Sequence, residues 1–76
     1  MPREAWVEIR DEAGELLKSI PARIDGGAVS AELPAFAPGT RGTIQLCTDE
    51  NGSVFCEDEE VEELPTDPLL FVVQMG

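Results

Sequence analysis

The stretch Gln45-Leu-Cys-Thr-Asp-Glu-Asn-Gly-Ser-Val-Phe-Cys-Glu57 decides how this chain folds, because it holds both of its cysteines on either side of an Asn-Gly turn. Asn-Gly is the preferred pair for a two-residue hairpin of type I′, which needs positive φ at both central positions. Counting back from such a turn sets Glu50 opposite Ser53, Asp49 opposite Val54, Thr48 opposite Phe55 and Cys47 opposite Cys56. That last pair is directly opposed and not hydrogen-bonded, the cross-strand position best suited to a disulfide. A slip of one residue turns every side chain to the other face and separates the thiols.

A second turn earlier in the chain bears on the choice. Asp11-Glu-Ala-Gly14 and Asp49-Glu-Asn-Gly52 share the pattern Asp-Glu-x-Gly. Both lie between β-prone runs and read as hairpins. Outside the turns the two halves match poorly, so independent use of a common turn explains them better than an internal repeat. Ala13 resists positive φ, so the first turn reads as a three-residue loop with Gly14 left-handed. Asp11 then pairs with Glu15, Ile9 with Leu17 and Glu8 with Lys18, placing Val7, Ile9 and Leu17 on one face. The same loop at the second turn pairs Asp49 with Ser53 and lines Ile44, Leu46, Val54 and Cys56 along an apolar face. Periodicity thus favours the slipped register, with Cys56 in the core and Cys47 on the opposite face beside Phe55. On this reading the disulfide is the less expected outcome.

Further along, Ile20-Pro-Ala-Arg-Ile24 continues extended, and Asp25-Gly-Gly27 forms a turn. Ala28–Leu33 alternates as a half-buried strand with Val29, Ala31 and Leu33 inward. The loop Pro34–Gly42 is anchored by Phe36. Val61 and Leu64 suit a short helical turn near 58–64, ended by Pro65, or a strand end merging into a solvated loop. Leu69–Gln74 reads as a buried final strand. The expected fold is all-β: a single domain over 1–76, a small sandwich or partly open barrel of about six short, mostly antiparallel strands. The rhythm Val-x-Ile-x-Asp-x-x-Gly, then Leu-Pro-x-Phe-x-Pro-Gly-Thr, over residues 7–46 resembles immunoglobulin-like and transthyretin-like sandwich modules. The resemblance implies architecture only.

Charge and composition narrow the function. Sixteen acids against five basic residues give −11, and residues 42–76 hold nine acids and no base. Such a field repels nucleic acid and anionic membrane and attracts basic protein surfaces. Its acidic surface comprises Asp49, Glu50, Glu57, Asp58, Glu59, Glu60, Glu62 and Glu63. Histidine is absent, so neither the commonest general base nor a classical zinc or haem site is expected. No serine or cysteine has a base to activate it. Asp49-Glu-Asn-Gly fails as a calcium loop, because Cys47 would fall at the first ligand position. We therefore expect no enzyme, no catalytic residue, no cofactor and no bound metal.

No apolar run is long enough to span a bilayer, and the first residues lack a signal-peptide pattern. The expected location is the cytoplasm, or a virion if the chain belongs to a phage particle. Two roles remain. One is a small subunit docked in a homo-oligomer or larger assembly, such as a phage decoration, cement or connector protein. Trp6 and Leu69, Leu70, Phe71, Val72 and Val73 are its candidate partner-binding residues, because a core this small leaves them hard to bury. The other is an acidic mimic of nucleic acid that occupies the basic groove of a nucleic-acid-binding protein.

Overall fold

The computed structural model describes residues 4–57 and 60–74. They form eight short strands and no helix. In chain order these are β1 (Glu4–Asp11), β2 (Leu16–Pro21), β3 (Arg23–Asp25), β4 (Ala28–Leu33), β5 (Arg41–Glu50), β6 (Ser53–Cys56), β7 (Glu62–Glu63) and β8 (Leu69–Gln74). One sheet has the order β2-β1-β5-β6, with β7 also on β5; the other has the order β3-β4-β8. All pairings are antiparallel. The two sheets are sandwich-like and do not close into a barrel. The count exceeds the expected six because β3 and β7 are fragments of three and two residues.

The core lies between the sheets. Ala5, Val7 and Ile9 of β1 and Ile44 and Leu46 of β5 face Val29, Ala31 and Leu33 of β4, with Ile20, Phe36, Phe71 and Val73 packed at its margin. The alternation expected for β4 and the anchoring role of Phe36 are both present. Leu64 completes the core, fully buried. Its N–H donates to the Thr40 carbonyl, and the Phe36 N–H donates to the Pro65 carbonyl. These two bonds fasten the chain after β7 to the Pro34–Gly42 loop. No helical turn occupies 60–64: β7 takes 62–63, and residues 58–59 lie outside the described ones.

The first hairpin has the expected loop. Gly14 is left-handed at φ 86, the Asp11 N–H donates to the Glu15 carbonyl, and Asp11 Oδ1 accepts from the N–H groups of Ala13 and Glu15. Farther from the turn the expected register fails. Arg10 pairs with Leu16, but Ile9 pairs with Lys18 and Glu8 with Ser19, so Leu17 is the extra residue of a bulge. The reason is the far end of β2. Without the bulge Ile20 would fall opposite Trp6, on the outer face. With it, Ile20 sits opposite Val7 and packs against the core. Ile20 is gained at the expense of Leu17, which stays exposed near the hairpin tip.

In the second hairpin the slipped register is overturned. Cys47 pairs with Cys56, Thr48 with Phe55, Asp49 with Val54 and Glu50 with Ser53. Asn51 and Gly52 both have positive φ, 54 and 82, the signature of a type I′ turn. The periodicity argument fails because β6 is an edge strand with all four residues exposed. Val54 and Cys56 have no core to enter, so their apolar character imposes no register. Turn chemistry then decides.

If so, Asn51→Ala removes the residue that tolerates positive φ and shifts the turn towards the looser loop of the first hairpin. Refolded from the reduced state, the variant should form the disulfide more slowly than wild type, read as free thiols against time under denaturing quench.

Candidate functional site

The outer face of the larger sheet carries a dense group of chemically distinctive side chains. Trp6, Glu8 and Arg10 alternate outward from β1, while Val7 and Ile9 point into the core. Pairing with β5 puts Trp6 opposite Cys47 and Glu8 opposite Gln45. Cys47 is in turn opposite Cys56, and the two form a disulfide with Cα atoms 4.0 Å apart. The expected separation of the thiols is thus corrected: Cys47 is fully buried, and Cys56 is the exposed member, not a core residue.

Around the disulfide the polar groups are tightly connected. The Trp6 indole Nε1–H donates to Glu8 Oε2 at 2.8 Å. Arg10 donates to Glu8 Oε1 at 2.7 Å, an ion pair between partly exposed groups, and also to the Gly14 carbonyl at 3.0 Å. The bond from Trp6, then that from Arg10, hold the Glu8 carboxyl below its ordinary range, against the opposing effect of burial. Each carboxylate oxygen therefore has one fixed donor. Glu8 and the two sulfurs lie within 4.8 Å of one another.

The proposed partner residues divide between the sheets. Trp6 belongs to the disulfide face and is half-buried there. Leu69 to Val73 lie on β8, which pairs with β4 without a break from Leu33↔Leu69 to Ala28↔Gln74. The expected full burial of this strand does not occur. Leu69, Leu70 and Val72 are 49%, 60% and 50% exposed, while Phe71 and Val73 are half-buried. Leu70 and Val72 stand opposite Glu32 and Ser30 on the outer face of the smaller sheet, which no described strand covers, and β8 is an edge with only β4 beside it among the described strands. A groove of about 570 Å³ runs between this strand and β2, lined by Ile20, Pro21, Leu33, Pro34, Pro68 and Leu69 among others.

The acids occupy a different edge. Asp49 ends near the turn, where its Oδ1 accepts from the Gly52 N–H at 3.1 Å. Glu50, Glu57 and Glu60 are exposed, and Glu62 and Glu63 form β7 against Gly42 and Arg41. Asp58 and Glu59 lie outside the described residues.

Sequence reasoning missed Glu8 and Arg10 as members of a site. The available signal was the alternation Trp6-x-Glu8-x-Arg10, which places all three on one strand face. No protein family matches the chain, and neither the curated proteins nor the solved structures include a detectable relative.

Two outcomes follow from this geometry. The disulfide closes a loop with a sequence separation of 9, so its reduction should lower stability by about 2–3 kcal/mol on loop entropy. Trp6 emission should rise on reduction, as a disulfide quenches an adjacent indole; denaturant titrations with and without reductant measure both. The lowered Glu8 pKa sets a sign for acid. A carboxyl with a depressed folded-state pKa adds stability above its unfolded pKa and loses it as pH falls through the folded value. The stability gap between wild type and Glu8→Gln should thus be widest near neutral pH and shrink by pH 3, measured by urea unfolding at both.

Proposed function

We propose that this chain is a non-catalytic structural module that docks into a larger assembly through the β8 edge. The observation that carries this reading is a contrast among sheet edges. Open edges invite pairing and are usually blocked by charge, proline, bulges or shortness. β2 has a bulge, Lys18 opposite a core-facing residue, and Pro21. β3 has three residues, with Arg23 and Asp25 at its ends. The β6–β7 edge carries Glu57, Glu62 and Glu63. β8 alone has six residues without charge, proline or bulge. A strand added there gains main-chain bonds and covers Leu70 and Val72.

Location follows the cysteine pair. In the cytoplasm the pair would stand as two thiols, whereas an oxidising compartment or a closed particle would keep it as a staple.

Light scattering tests the docking. Wild type should exceed the 8.2 kDa monomer mass as concentration rises, with little effect of salt. Leu70→Lys combined with Val72→Lys should return it to monomer. Both positions are exposed, so each change should cost no more than about 0.5 kcal/mol of stability. A wild-type protein monomeric to millimolar concentration, with freely exchanging outer β8 amides, argues against self-assembly.

One observation favours the nucleic-acid-mimic reading as a second choice. The described ends of the acidic run stand apart along β5: the Glu57 N–H donates to the Leu46 carbonyl, and Glu62 stands opposite Gly42. Four steps along β5 span about 14 Å, so these two acids are spread along the strand. A mimic would bind a basic nucleic-acid-binding protein as a monomer, with affinity falling steeply in salt.

A further inference from the structure

We propose that the disulfide caps a latent metal site: once it is reduced, Cys47, Cys56 and Glu8 bind one zinc-class divalent ion. This inference is independent of whether β8 docks.

Three ligand atoms of two types already converge. The two sulfurs and a Glu8 carboxylate oxygen lie within 4.8 Å of one another, contributed by three adjacent strands. Thiolate and carboxylate ligands in a set of three suit a tetrahedral ion that keeps its fourth position for water. Cys56 is exposed, which gives the ion and that water an entry. Two thiolates on one tetrahedral ion at ordinary zinc–sulfur lengths stand about 3.8 Å apart. The cysteines' directly opposed positions allow that separation by side-chain rotation, without moving either strand.

Glu8 is prepared for the part. The Trp6 indole and the Arg10 guanidinium each donate to a different carboxylate oxygen. A carboxylate offers about four lone-pair sites, so a free one remains on each oxygen. Outer donors of this kind fix the direction of a metal-binding carboxylate. Softness of the sulfurs favours zinc-class ions over calcium or magnesium.

The conversion balances with a reductant of the dithiol class. One thiolate of the dithiol attacks the exposed Cys56 Sγ and breaks the Cys47–Cys56 bond, leaving a mixed disulfide and a thiol at Cys47. The second thiol of the reductant then displaces Cys56, and the reductant leaves as a cyclic disulfide. Ion binding releases the two cysteine protons to solvent as two metal–sulfur bonds form. Exchange with a disulfide of that same class runs both steps backwards: the Cys47–Cys56 bond re-forms, the disulfide is reduced to the dithiol and the ion is released.

The test is a cobalt(II) titration of the full chain without oxygen, before and after reduction by a water-soluble phosphine, which takes oxygen from water and leaves two thiols. Thiolate-to-cobalt charge-transfer absorption should appear only in the reduced protein and saturate at one ion per chain. Glu8→Gln should weaken binding at least about tenfold, and Cys56→Ser should abolish the band. Circular dichroism should show the β spectrum in the cobalt-bound reduced protein. The proposal is overturned by absence of the band, by one ion shared between two chains, by wild-type affinity in Glu8→Gln, or by a reduced chain that stays unfolded with cobalt.

Discussion

The register of β5 is the constraint on which the rest of the structure depends. This strand pairs with β1 along one side and with β6 and β7 end to end along the other. Its inward residues, Ile44 and Leu46, supply part of the core, and its outward Cys47 anchors the disulfide face. Because side chains alternate with a period of two, one slip would remove both functions together. Gly42 reinforces the alignment: a Cβ there would run into the Arg10 carbonyl of β1. The two strands thus approach closely at the end remote from the cysteines.

Small size explains the distribution of roles over the surface. A chain of 76 residues buries a limited fraction of its apolar area, and its second sheet has only three strands. One layer of β1 and β5 side chains covers β4 well and β8 poorly. The apolar residues left over on β8 are therefore a consequence of the sheet order as much as of composition. The staple strengthens the edge of the larger sheet, where β6 contributes nothing to the core. Covalent closure there and open apolar surface on β8 are complementary answers to the same shortage of interior.

The sequence made much of this legible. The all-β class, the alternation of β1 and β4, the Gly14 loop and the anchoring by Phe36 follow from local patterns that tertiary contacts do not oppose. The misreadings have a common origin. For β6, β2 and β8, alternation or clustering of apolar residues points to a core, but each of these strands lies at a sheet edge. An edge strand can be apolar without being buried, so its pattern loses authority over register and exposure. At Asn51 the local turn preference was the better guide, because nothing in the core competed with it.

The sequence by itself determined the fold class, the excess of negative charge and the type of the first turn, since these rest on composition and on the φ that Ala13 and Gly14 accept. Only the tertiary structure decided which strands are edges, and with them the bulge at Leu17, the exposure of Leu70 and Val72, and the joining of Cys47 to Cys56. It also brought Glu8 beside the sulfurs, from residues about forty positions away in the chain. Those outcomes depend on which strand lies beside which, and strand order is a long-range choice that no local pattern encodes.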